Sequence, residues 1–249
     1  MQTDFRLFGP LHIAILAATP ALAALLSWAT MRRPGLARPT RIALAIFLTL
    51  VGLSWYAYRF TVQHVRFPQG LPFELCDVSF WIAVAALVRL RQRTFELAYY
   101  WGVGGGIMAL LTPAIVAPVR SFQTIEFFVG HASLVIAVLY LLWSGQARPR
   151  PRSWWFAFWA VNVYGAAIAA FNWAFQTNYL YLCYKPPTAS LFDVMGPWPW
   201  YVVWAEPAAL LVFLIMSAPF GIVGARSPAL AAAQRGLNPP GGTPAPGPF

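Results

Sequence analysis

The chain has 249 residues, of which 59% are hydrophobic and only 10% charged, with a formal net charge of +10. Soluble domains carry about 25% charged residues, so this composition excludes an ordinary soluble globular domain. It does not indicate nucleic-acid binding either, because the positions of the basic residues, taken below, account for the charge.

A spanning helix needs about 20 mainly apolar residues. Seven runs qualify, at about 9–30, 41–62, 72–90, 95–117, 121–143, 154–175 and 200–223. The first contains His12 near its start, and Ala21-Leu22-Ala23 resembles a signal-cleavage site. Only Arg6 precedes this run, whereas Arg32, Arg33, Arg38 and Arg41 follow it. That polarity predicts a retained helix with its N-terminus outside. The third run begins Pro72-Phe73-Glu74-Leu75-Cys76-Asp77 and is followed by Arg89, Arg91 and Arg93. The fourth contains Gly102, Gly104, Gly105 and Gly106, which suit close helix packing. Arg148, Arg150 and Arg152 separate the fifth run from the sixth, and Arg226 and Arg235 follow the seventh.

Every second loop is therefore rich in arginine. The rich side holds twelve basic residues, and the other side holds five: Arg6, Arg59, Arg66, Arg120 and Lys185. Cytoplasmic loops collect Lys and Arg. The expectation is an all-α polytopic membrane bundle of about seven transmembrane helices over 1–224, N-out and C-in, in a bacterial inner (plasma) membrane. Residues 225–249 are rich in Ala, Pro and Gly and predict a disordered cytoplasmic tail.

Ionisable groups inside a membrane are unfavourable and usually face a cavity or each other. Here they gather toward the outer side. Glu74, Cys76 and Asp77 open the third run, Glu126 and His131 lie early in the fifth, Asn172 and Gln176 end the sixth, and Glu206 lies early in the seventh. Only Glu96 sits at the inner side, near Arg89, Arg91 and Arg93, where ion pairing is expected. The outer loop from Asn178 through Lys185 to Trp198 and Trp200 is rich in Tyr, Trp and Pro. It reads either as an interfacial aromatic belt or as a stiff lid, with Lys185 available to a lipid phosphate.

A thiol beside an imidazole can act as a thiolate nucleophile, and a carboxylate such as Asp77 or Glu126 can orient the imidazole. A lone cysteine is otherwise a small apolar group. Cys76 and Cys183 both fall on the outer side, so a disulfide between them stays open as the alternative. The spacing suggests no metal site and no cofactor.

The stretches Leu71-Pro72-Phe73-Glu74-Leu75-Cys76-Asp77-Val78, Gly130-His131-Ala132-Ser133-Leu134, Asn178-Tyr179 through Lys185-Pro186, and Gly196-Pro197-Trp198-Pro199-Trp200-Tyr201 together resemble the YwaF-like integral membrane family. These are bacterial relatives of the eukaryotic transmembrane protein 164 group, and the likeness spans roughly residues 5–220. The resemblance implies a multispanning bundle and, by analogy with the eukaryotic branch, acyl transfer on phospholipids, with Cys76 as nucleophile and His131 as base. Glu74, Asn172, Gln176, Asn178, Lys185, Trp198, Trp200 and Glu206 are the candidate substrate-binding residues. The expected partners are a membrane phospholipid or lysolipid and the bilayer itself. The rival readings are a transporter or small-molecule receptor with an outward-facing polar cavity, and a non-catalytic membrane partner protein.

Overall fold

The structure is a computed structural model that describes residues 5–186 and 190–224. The tail expected at 225–249 lies outside the described residues. All regular structure among them is helical: α1 (Pro10–Arg32), α2 (Ala37–Thr61), α3 (Leu75–Arg89), α4 (Gln92–Leu97), a π-helical segment (Ala98–Val103), α5 (Gly104–Leu111), α6 (Phe122–Trp143), α7 (Ser153–Phe175) and α8 (Trp200–Gly224). Short 3₁₀ turns lie at Pro34–Leu36, Tyr179–Tyr181 and Leu191–Met195.

Each of the seven expected apolar runs carries a helix. Five are long and apolar enough to cross a membrane: Pro10–Arg32, Pro34–Thr61, Phe122–Trp143, Ser153–Phe175 and Trp200–Gly221. The remaining two runs differ. α3 has 15 residues, roughly 22 Å at 1.5 Å per residue, less than the ~30 Å hydrocarbon core. The fourth run is continuous through α4, the π segment and α5, but it ends at Leu111 rather than near 117. The residue before a proline is disfavoured in the α region, and Pro113 follows Thr112, whose φ of −128° is already non-helical. Prolines within α1 (Pro20) and α8 (Pro207, Pro219) leave their helices unbroken, as membrane helices tolerate.

α6 is the centre of the bundle. It packs against α1, α2, α3, α5 and the π segment, and Leu134, Val135, Ala137, Val138, Tyr140 and Leu141 are buried along it. The glycines of the fourth run act as small contacts. A Cβ added at Gly106 would stand 2.7 Å from Val135 of α6, and one at Gly102 would stand 3.2 Å from Leu134. The bundle's exterior is apolar: Leu25, Trp28, Leu50, Val163, Trp173 and Ile215 are among its exposed side chains. That outward apolar surface is what a lipid solvent requires.

At the end where α1 finishes and α2 begins, the inner end by the arginine distribution, several buried polar groups are paired. Glu96, fully buried, accepts from Arg150 through Nε at 2.9 Å, Nη2 at 2.8 Å and the backbone N–H at 3.0 Å, and from Gln92 at 2.9 Å. This corrects the expected pairing with Arg89, Arg91 or Arg93, because the 148–152 loop folds over α4 and brings Arg150 to it. Arg41 donates to the Leu87 carbonyl at 2.9 Å, closing one of the carbonyls that the end of α3 leaves free. The Tyr140 and Thr30 hydroxyls meet at 3.1 Å, and those of Tyr100 and Ser153 at 3.3 Å.

Candidate active site

The opposite end of the bundle is hollow. A cavity of about 620 Å³ opens among the outer parts of α2, α3 and α6, the stretch after α5, and Tyr181 of the loop after α7. Volumes of about 300–1,000 Å³ are usual for small-molecule sites. A second depression, lined by Val194, Met195, Trp204, Pro207, Ala208 and Leu211, has no ionisable side chain.

Helix periodicity explains most of the placement. Trp55, Tyr56 and Arg59 lie on one stripe at the end of α2, since residues three and four apart share a face. Glu74 is the residue just before α3, and Cys76 and Asp77 occupy its first turn. Glu126 and His131 come from α6, with Phe127 and Gly130 between them. A Cβ at Gly130 would lie 3.3 Å from Glu126 Oε1, so the glycine leaves room for that carboxylate folded back along the helix.

Five sequence candidates therefore share one space: Glu74, Cys76, Asp77, Glu126 and His131. Cys76 is accessible from the cavity even though protein surrounds it at longer range, and both cysteines are free thiols. His131 Nδ1 lies 2.7 Å from the Phe127 carbonyl. A carbonyl only accepts, so Nδ1 carries the proton, and in the neutral ring Nε2 keeps its lone pair. The expected carboxylate partner for the imidazole is thereby corrected: a backbone carbonyl one turn earlier orients the ring. Asp77 instead accepts from the Tyr56 hydroxyl at 3.2 Å, and Glu74 accepts the Leu180 N–H at 3.1 Å. Among the described residues none of the three cavity carboxylates forms an ion pair. Arg59 turns its guanidinium toward the Gln69 carbonyl, 2.6 Å away, and over the Trp55 ring.

The other candidates lie elsewhere. Asn172 is buried and holds the following loop: its amide oxygen accepts from Tyr179 N–H and the Thr177 hydroxyl, and its NH₂ donates to the Tyr179 carbonyl at 2.9 Å. Its side chain is thus engaged in structure and does not line the cavity where a substrate-binding residue was expected. Asn178 accepts from the N–H groups of Cys183 and Tyr184 and donates to the Tyr184 carbonyl. Gln176 ends α7 and donates to the Trp173 carbonyl. Lys185 stands 3.7 Å from Asp193 and over the Tyr201 ring, and Trp198 donates to the Leu182 carbonyl. Trp200 is exposed. Glu206 is exposed on α8, which packs against α7, α5 and Leu191–Met195, so it does not join the cavity.

The loop bonds build a strap across the site. Tyr179 donates to the Pro68 carbonyl at 2.8 Å, and Tyr201 donates to the Tyr181 carbonyl at 2.6 Å. Leu180 and Tyr181 hold φ of 58° and 52°, a left-handed conformation that is unusual for such residues. The turn carries Tyr181 into the cavity. Burial first, then the charges of Glu74 and Cys76, push the Tyr181 phenol above its ordinary range, so it stays a neutral donor. Sequence reading passed over Tyr181, Tyr56 and Arg59. The only available signal for the latter two was the i, i+3 spacing of Tyr56 and Arg59 beside a polar cluster.

A helical bundle with an apolar exterior and a polar chamber at one end defines a multi-pass membrane protein. The model of the TMEM164 family matches residues 7–217, and the chain belongs to that family. No curated protein and no solved structure matches it.

Proposed function

We propose that the protein is a lipid-modifying enzyme of the bacterial inner membrane, oriented N-out and C-in across seven spans, which transfers or hydrolyses phospholipid acyl groups through Cys76 and His131. The observation that carries this reading is the pair itself. An accessible thiol and an imidazole whose Nδ1 is already committed line one cavity. A free thiol is mostly protonated at neutral pH, so a base is needed, and Nε2 is the atom available.

In the first half-reaction the Cys76 proton passes to His131 Nε2 and the sulfur attacks the ester carbonyl carbon. The C–O bond breaks, the lysolipid oxygen takes the proton back from His131, and an acyl thioester remains on Cys76. In the second, a lysolipid hydroxyl or water gives its proton to His131 and attacks the thioester. The C–S bond breaks and the thiol is restored with the proton from His131. The Tyr181 hydroxyl, without a hydrogen-bond partner among the described residues, stabilises the tetrahedral oxyanion. Glu74, Asp77 and Glu126 position the polar part of the lipid.

The test is to incubate purified protein with phospholipid bearing a labelled acyl chain. A hydroxylamine-sensitive label on the Cys76 peptide is expected, and its absence under every lipid composition sinks the reading. For orientation, a reporter fused after Arg226 should read cytoplasmic and one beside Lys185 external. A second reading, transport or sensing of a solute, draws on the three carboxylates that lack an ion pair. It is favoured instead if Cys76→Ala leaves lipid turnover intact while Glu126→Gln abolishes solute uptake.

A further inference from the structure

The stretch that follows α5 is irregular where a helix was expected, and it forms a wall of the cavity. Thr112, Ala114, Ile115, Val116 and Ala117 all line it. Irregular backbone at membrane depth is tolerated where it is buried in protein or faces a cavity. Here part of its hydrogen bonding is met locally: Thr112 N–H reaches the Met108 carbonyl, Ile115 N–H reaches that of Pro113, and the Ala117 carbonyl accepts from the Thr124 hydroxyl.

This stretch differs in chemistry from the parts of α2 and α3 that share the cavity. Residues 112–117 read Thr-Pro-Ala-Ile-Val-Ala, with no ionisable side chain. α2 and α3 face the same space with Tyr56, Arg59, Glu74 and Asp77. The cavity thus joins an apolar stretch to polar side chains of α2, α3 and α6, among them Arg59, Glu74, Asp77, Gln123 and Glu126, and the Cys76 thiol opens into it. The apolar stretch also reaches the outside: Val116 lines the cavity yet is 66% exposed. A ligand matched to that division has a polar head and a hydrocarbon chain.

We infer that residues 112–117, continued by Ala109 and Leu134, form the subsite for the acyl chain of the lipid substrate, and that the chain passes between cavity and bilayer beside Val116. The inference rests on the acyl-transfer reading of Cys76 and names which part of the substrate this wall holds. The polar head stays with α2 and α3, and the ester carbonyl falls at the thiol.

The first test does not need turnover. Full-length Cys76→Ala protein in lipid nanodiscs is irradiated with a phosphatidylcholine carrying a diazirine midway along one acyl chain, and adducts are mapped by peptide mass spectrometry. Adducts are expected on 112–117, and Ala114→Trp should remove them while adducts on the lipid-facing side of α1 persist. Labelling of 112–117 no stronger than that of α1, or unchanged by Ala114→Trp, overturns the subsite whether or not Cys76 is ever acylated. The second test uses Val116→Trp, an exposed position where a larger side chain leaves the packed core untouched. Each buried methylene is worth about fourfold in partition, so excluding two should lower Cys76 acylation from a long-chain donor by about fifteenfold relative to a short-chain donor. An equal fall for both donors overturns the inference, because the wall would then be acting on folding alone.

Discussion

The two ends of the bundle differ in which ionisable side chains find a partner within the protein. At the inner end Glu96, Arg41, Tyr140 and Tyr100 each reach a protein partner. At the outer end Cys76, Glu126 and the Nε2 atom of His131 border a cavity, with no side-chain partner among the described residues. A polar group that is satisfied by its own protein holds the fold together. One left facing a cavity at membrane depth has kept its hydrogen-bonding capacity for something else. The difference sorts residues that hold the fold from the candidates for function, and substitutions at both ends test it.

The largest effect should come from the thiol and the imidazole. Cys76→Ala, His131→Ala and the double variant should all lose acyl transfer to nearly the same extent, because a nucleophile and its base act as a unit. Cys76→Ser should be poor as well, whereas Cys183→Ala should retain activity. Steady-state rates with labelled phospholipid decide it, and additive losses would show that the two groups act separately. The melting temperature should stay near that of the parent protein for Cys76→Ala and fall modestly for His131→Ala, whose ring bonds the Phe127 carbonyl and packs on the Phe127 ring.

The inner end should respond in stability rather than in chemistry. Arg150→Ala leaves the fully buried Glu96 carboxylate without its cation, and stranding a buried charge costs about 3–5 kcal/mol. Glu96→Gln should cost less, because Arg150 is more than half exposed, at 56%, and water can solvate it. Thermal unfolding in detergent measures both, and the reverse ranking would mean that the Glu96 pocket is wet.

Tyr181→Phe removes one hydroxyl from the cavity and leaves the ring that packs there. If that hydroxyl meets the oxyanion, kcat should fall about 10²–10³-fold, as for loss of one oxyanion-hole donor, with KM nearly unchanged. A change in KM alone would make Tyr181 a binding residue. The smallest effect is expected at Asn172, which holds the strap and stands outside the cavity. Asn172→Ala leaves the Tyr179 backbone groups unsatisfied at a cost of about 1–3 kcal/mol. Amide exchange over residues 177–184 should accelerate, and catalysis should weaken only as far as Tyr181 loses its position.

Much of this was legible before any coordinates. The seven helical runs follow from runs of apolar residues, and the resemblance carried by four short stretches agrees with the family match over residues 7–217. Cys76, Asp77, Glu126 and His131 stand out in sequence because ionisable side chains are rare in apolar segments. Partners were the part that could not be read. Arg89, Arg91 and Arg93 are Glu96's neighbours in sequence, but Arg150 is 54 positions away and is the residue that reaches it. Asn172 and Glu206 had the composition of site residues, yet one is engaged by its own loop and the other is exposed on α8.

What the sequence determined alone is the solvent: 59% hydrophobic residues in runs long enough for helices require a lipid environment, and period and composition are properties of the chain itself. What only the tertiary structure decided is which polar groups are engaged and which face a cavity. That outcome depends on loop paths, on the break at Pro113 and on the left-handed turn at Leu180 and Tyr181, and no local pattern encodes it. A hydrogen bond is decided by where two distant segments meet, and the same carboxylate can become a structural clamp, like Glu96, or a cavity group, like Glu126.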